Sequence, residues 1–251
     1  RSMQSKVYVF DIKSGALQLL DTTHVLHASF DPKGTRVAFV KDNNLYYRDL
    51  GTGKTTTITN DGKKNEIING NCDWVYEEEF QFTKAYEWSP DGKYLAYYRF
   101  DERQVPEFTM DMFTGLYPER NTFKYPKAGE PNSIVQIRFY NLESAKTDIA
   151  DIGTETDQYI PRIKWSHDAS KLCILRMNRL QNKLEYLLAD AATGRSEVIY
   201  VENNPYYIEI NDDLHFLPDN RSFIFTSEQS GYRHLYRWDW VEAKLTRLTE
   251  G

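Results

Sequence analysis

Apolar residues in this chain come in short alternating runs separated by turn residues, the period-two pattern of half-buried strands. The pattern also repeats. Phe30-Asp31-Pro32-Lys33-Gly34 followed by Val37-Ala38-Phe39-Val40 matches Trp88-Ser89-Pro90-Asp91-Gly92 followed by Leu95-Ala96-Tyr97-Tyr98, position for position in residue type. Two weaker copies begin at Trp165 and Phe216. Each copy joins an aromatic anchor, a tight turn of Pro, Asp or Gly type, and an apolar run of strand length, which together predict a β-hairpin. A second hairpin type alternates with the first over residues 7–20, 45–59, 134–149, 184–199 and 235–248. It is marked by a strand that ends near an acidic or amide residue and a turn of small residues such as Ser14-Gly15, Thr52-Gly53 or Thr193-Gly194.

First-type and second-type hairpins in succession give four antiparallel strands, the composition of a propeller blade. The chain is therefore expected to be all-β, a single partial β-propeller domain over residues 1–251. An orphan second-type hairpin comes first and four complete units follow, about four and a half blades, which reads more simply as a segment of a larger ring than as a small closed one. The anchors at residues 30, 88, 165 and 216 are spaced more widely than the roughly 40–50 residues of a plain blade. Insertions at 65–81 and 101–131 account for the surplus. In repeat folds such insertions form loops on one face, where binding concentrates.

Composition agrees with strands: 14% of the 251 residues are aromatic, with 18 tyrosines. The net charge is -6 and lysines and arginines are dispersed, so no basic stripe is available to neutralise a row of phosphates and a nucleic-acid partner is excluded. The longest apolar run falls far short of the roughly 20 residues of a membrane helix, so no membrane insertion is expected within this stretch. The start carries no secretory h-region, so any targeting segment is expected to lie outside this sequence or not to exist. Cys72 and Cys173 have neither metal-ligand nor redox spacing and read as two unrelated thiols. No Gly-x-Ser-x-Gly elbow, Walker loop or dinucleotide loop occurs. Alternation points His24 and His27 to different faces, which argues against a metal site, and His234 reads as a hydrogen-bonded hairpin residue. No cofactor, metal or catalytic residue is expected in this polypeptide.

The segment from Cys72 to Phe80 interrupts the repeats. Asp73 is a good N-cap, and a short helix beginning at Trp74 would carry Glu77, Glu78 and Glu79, with Trp74, Tyr76 and Phe80 supplying apolar area. On one or two helical turns Glu78 and Glu79 can converge on one small cation, and two carboxylates offset the desolvation of an ammonium. A free α-amino group, with a pKa near 8, suits such a pair. The competing reading is a charged surface turn solvated by water.

The run Asp73-Trp74-Val75-Tyr76-Glu77-Glu78-Glu79 resembles the propeller signature of dipeptidyl peptidase IV-type serine exopeptidases. The motifs Trp88-Ser89-Pro90-Asp91-Gly92, Val105-Pro106, Tyr125-Pro126-Lys127-Ala128-Gly129 and Gly231-Tyr232-Arg233-His234 follow in that family's order. The resemblance implies an eight-bladed propeller that caps an α/β-hydrolase domain, no part of which is in this sequence. It implies that Glu78 and Glu79 hold the amino terminus of a peptide substrate, with Glu77 a structural neighbour, for release of X-Pro and X-Ala dipeptides. The catalytic serine, aspartate and histidine would lie in the absent domain, leaving this stretch inactive by itself. A homodimeric parent is implied too, with residues 108–125, including Met110, Met112, Phe113 and Tyr117, as an arm toward the partner; the alternative for that segment is a disordered surface loop. Two features depart from the animal pattern: Asp21-Thr22-Thr23-His24-Val25-Leu26 offers no substrate-carbonyl arginine, and Leu235 through Trp240 holds no cysteine. The second favours a bacterial member exported to the periplasm or the outer surface. The remaining alternative is a stand-alone propeller serving as a protein-interaction or periplasmic scaffold module.

Overall fold

The computed structural model describes residues 3–251, whose regular elements are antiparallel strands apart from one short helix. The orphan hairpin is β1 (Tyr8–Phe10) with β2 (Leu17–Leu19). The first blade follows as β3 (Leu26–Phe30), β4 (Arg36–Lys41), β5 (Asn44–Asp49) and β6 (Thr55–Thr57), each paired to the next. The second blade contains β7 (Ile67–Asn69), helix α1 (Trp74–Glu79), β8 (Tyr86–Trp88), β9 (Tyr94–Asp101), the hairpin β10 (Glu107–Met112) and β11 (Glu119–Lys124), then β12 (Ile134–Asn141) and β13 (Lys146–Ile149). The third is β14 (Gln158–Trp165), β15 (Lys171–Asn178), β16 (Lys183–Asp190) and β17 (Ser196–Asn203). The fourth is β18 (His215–Phe216), β19 (Ser222–Ser227), β20 (His234–Asp239) and β21 (Lys244–Arg247). The expected alternation of hairpins is thus the observed one, and no helix among the described residues is long and apolar enough to cross a membrane.

One device makes every second-type hairpin. The acidic or amide residue that ends its first strand, in turn Asp11, Asp49, Asn141, Asp190 and Asp239, accepts the backbone N–H three positions on, at 2.7–3.0 Å. The side chain thereby stands in for a backbone turn acceptor. The next residue is left-handed in all five copies, with φ between 49° and 72°, and is Gly15, Gly53, Ala145, Gly194 or Ala243. The aromatic anchors have a different task. Trp88 Nε1 donates to Ser29 O in the first blade and Trp165 Nε1 to Glu87 O in the second, so each indole fastens one inner strand to the blade before it. The largest core cluster runs through the second, third and fourth blades, and a smaller one joins the first to the second. Cys72 and Cys173 are both buried free thiols.

The second blade has its inner position filled by two short strands. β7 pairs with β9 at residues 99–101 and β8 pairs with it at 95–97. Between them the chain leaves at Gly70 and returns at Ala85, and the neck is closed by Gly70 N to Tyr98 O (3.0 Å), Ala85 N to Gly70 O (3.1 Å) and Tyr98 N to Ala85 O (2.9 Å). Glycine is required at that exit: φ is 73°, and a Cβ would stand 3.0 Å from both Leu45 Cδ1 and Val40 Cγ2. The insertion expected at 65–81 is therefore displaced. Ile67–Asn69 belongs to the ladder, because its apolar residues pair with β9, and the excursion runs over 70–85. The insertion at 101–131 holds an ordered hairpin, with six cross-strand pairs from Glu107↔Lys124 to Met112↔Glu119, in place of a disordered loop. Phe113, Leu116 and Tyr117 project from its tip.

The excursion is pinned from the next blade. β14 shifts register between Tyr159 and Arg162, where Pro161 has no N–H to give, and the bulge turns Ile160 N out of the ladder. That amide donates to the hydroxyl of Tyr76, in the middle of α1, at 2.8 Å. The Tyr76 ring is 1% exposed and contacts Phe80, Phe100 and Tyr159 edge-on or tilted, at centroid distances of 5.1, 4.9 and 6.2 Å. Replacing Tyr76 by Phe keeps the packing and strands a buried N–H, so it is expected to lower unfolding free energy by about 1–3 kcal/mol. Denaturant titration should show a lower midpoint at an unchanged slope.

Candidate functional site

Helix α1 begins where its sequence says it should. Asp73 Oδ1 accepts Tyr76 N at 3.0 Å, and Asp73 Oδ2 accepts Ser133 Oγ at 2.6 Å, so the N-cap is tied to the segment that leads into β12. Val75 and Tyr76 are buried, Glu77 is half-buried, and Glu78 and Glu79 are exposed. With one side of so short a helix committed to the core, the last two carboxylates are carried on its outward side.

Glu78 and Glu79 both line a cavity of about 890 Å³. Its other walls come from three places: Trp74 on the helix, Phe108, Phe123 and Tyr125 of the hairpin arm and its base, and Tyr159 and Arg179 of the third blade. The rings pack on one another, Trp74 edge-on to Tyr125 at 4.2 Å between centroids and Tyr125 against Phe108 at 5.6 Å. Two adjacent carboxylates beside aromatic walls suit an organic ammonium, which gains charge-assisted hydrogen bonds on one side and ring faces on the other. The lining is mixed and also carries Lys127, Asn132 and Gln181.

The two glutamates that the sequence points to are thus brought together in one cavity. Sequence reasoning misses Tyr159 and Arg179, since they lie on another blade and carry no motif of their own; Pro161 inside a strand is the one local sign of an irregular backbone. Arg179 donates to Asp157 Oδ1 (2.9 Å) and Glu130 O (3.1 Å) and stacks 5.7 Å from the Tyr159 ring centroid. Asn132 Nδ2 donates to the Tyr159 hydroxyl at 2.9 Å. His27 takes a structural place, with Nε2 2.7 Å from Asn71 Oδ1 at the neck of the excursion, and burial holds its pKa below the usual value. His234 Nδ1 lies 3.2 Å from Thr249 Oγ1 across its own hairpin.

A family model described as the dipeptidyl peptidase IV (DPP IV) N-terminal region matches residues 1–251. Among solved structures, the dipeptidyl peptidase 4 of Porphyromonas gingivalis superposes with a TM-score of 0.94 at 35% identity, over 100% of this chain and 36% of that one. A curated protein of Phaeosphaeria nodorum named "Probable dipeptidyl-aminopeptidase B" is 34% identical over 259 residues, 91% of this chain and 28% of its own length. Dipeptidyl-aminopeptidase B of Aspergillus niger is 32% identical over 265 residues, 93% of this chain and 29% of its own length. The chain therefore spans only 28% to 36% of the length of these similar proteins.

Beneath the start of α1 lie two buried acids. Burial raises the pKa of Asp73, against the hydrogen bonds from Ser133 and the Tyr76 amide. Glu102, directly after β9, is pushed up from 4.5 to about 7, chiefly by burial and next by the Asp73 carboxylate, with Lys124 opposing. A carboxyl whose pKa is higher folded than unfolded takes up protons on folding, so its stabilising contribution is full below pH 4.5 and is lost as the pH rises through about 7. Stability should accordingly fall across that window by up to roughly 3 kcal/mol. Glu102→Gln should flatten the fall, as measured by denaturant unfolding at a series of pH values.

Proposed function

Because the chain belongs to the family of dipeptidyl peptidase IV N-terminal regions, we propose that it is the substrate-gating propeller part of a longer serine exopeptidase. In this reading Glu78 and Glu79 anchor the free amino terminus of the peptide. The observation that carries it is the placement of two neighbouring exposed carboxylates at an aromatic cavity, on a helix whose other side is locked into the core. A peptide amino group, with a pKa near 8, is largely protonated at neutral pH and fills the space between them. Fixing that end leaves the chain to run outward by a set number of residues before it meets the nucleophile. The fixed distance is what makes the product a dipeptide, and the family resemblance adds proline or alanine at its second position.

The nucleophile and its partners would come from sequence beyond this stretch, which has no elbow motif of its own. The contribution of this chain is positional: it excludes peptides whose amino group is blocked and orients those whose amino group is free. A scaffold module without a peptidase would have no use for a helix fixed from two blades, so the exopeptidase reading is preferred.

In the full-length protein, Glu78→Gln or Glu79→Gln removes one charge-assisted hydrogen bond to the ammonium. Each substitution should lower kcat/KM for Gly-Pro-p-nitroanilide about 10- to 100-fold, the equivalent of ~1.5–3 kcal/mol, without changing the unfolding midpoint by more than a few degrees. Turnover equal to that of the unsubstituted protein would refute the anchoring role.

A further inference from the structure

Helix α1 is closed at its N-terminal end by Asp73, but no glycine closes the other end. The C-cap is Phe80 (φ -105°), and the following residue, Gln81, lies in the left-handed region at φ 56°. A residue with a Cβ adopts that conformation reluctantly, and helices that end this way usually place glycine there. Something outside the helix must hold the end, and it comes from the third blade. Arg162 of β14 donates from Nη1 to Phe80 O at 2.8 Å and to Pro161 O at 2.7 Å, while its Nε donates to Asp212 Oδ1 at 2.6 Å. Its guanidinium also lies 5.7 Å from the Phe82 ring centroid. A cation on a last-turn carbonyl satisfies an orphan acceptor and complements the negative end of the helix.

Arg162 and Glu79 line one small cavity of about 140 Å³, together with Tyr207 and Glu209 from the link to the fourth blade. The bridge to Asp212 is the weaker part of the arrangement, since that carboxylate is 81% exposed and screened by water. The hydrogen bond that matters is the one to the carbonyl.

We propose that Arg162 is the positioning residue of the clamp: by fixing the C-terminal end of α1 it sets the direction of Glu78 and Glu79, and with it the selectivity for a free amino terminus. The inference rests on the amino-terminus reading given above. It is tested in the full-length protein with two competitive inhibitors, Ile-Pro and its des-amino analogue 3-methylpentanoyl-proline. The ratio of their inhibition constants reports the grip on the amine alone. Arg162→Met should shrink that ratio at least tenfold and raise KM for Gly-Pro-p-nitroanilide, with kcat within threefold of the unsubstituted protein. Arg162→Lys, which keeps a donor for Phe80 O, should recover most of the ratio. A merely structural role would lower the active fraction, and so kcat, without moving the ratio. Should Arg162→Met fail to fold, Arg162→Gln replaces it and is read in the same way. A ratio within twofold of the original in a folded variant overturns the proposal, provided that Glu78→Gln and Glu79→Gln do reduce it. If those leave it unchanged as well, the amino-terminus reading itself has failed.

Discussion

The hydroxyl of Tyr76 accepting the amide of Ile160 is the interaction on which the geometry of the site depends. Helix α1 sits in an excursion that leaves the second blade at Gly70 and returns at Ala85, its two legs joined by backbone hydrogen bonds at the neck and by Cys72 N to Thr83 O. The bond to Ile160 crosses to the third blade, where a bulge next to Pro161 has turned the amide out of its own ladder. Its cost if unmade is what gives it authority: a buried N–H without an acceptor is far less tolerable than a surface pair whose partners water can solvate instead. Around it the rings of Phe80, Phe100 and Tyr159 leave Tyr76 one way to sit.

The acids of this region divide by what surrounds them. Asp73 and Glu102 are buried, and burial raises both pKa values; Asp73 accepts hydrogen bonds from Ser133 and the Tyr76 amide, and Glu102 from the Asn65 amide. Glu78 and Glu79, one turn further along the same helix, face an aromatic cavity. A run that looks uniform in sequence is therefore two sets of groups, one that builds the helix and one that the helix presents. The arm belongs to the same construction, since Tyr125 at its base packs edge-on against Trp74.

The repeat is legible in the sequence because each copy carries its own chemistry. The aromatic anchor with its tight turn, the Asx residue at the end of a strand and the left-handed residue four positions later are all local signals, and they place the strands of four blades. Asp73 as N-cap is legible for the same reason. The division of an inner strand into β7 and β8 is not, because Ile67–Asn69 is three residues long and its role is decided by pairing with β9. Tyr159 and Arg162 stay hidden because Phe80, which both contact, lies about eighty positions away, and Arg179 because its own partners, Asp157, Glu130 O and the Tyr159 ring, say nothing of the cavity it lines.

Under the proposed function a peptide's amino group is held by Glu78 and Glu79 together. The most direct measurement is a crystal structure of the full-length protein soaked with an X-Pro dipeptide. The amino nitrogen is expected within about 3 Å of a carboxylate oxygen from each glutamate, with helix α1 unmoved. An amino group found in solvent, or on another acid such as Glu209 or Asp212, would contradict it.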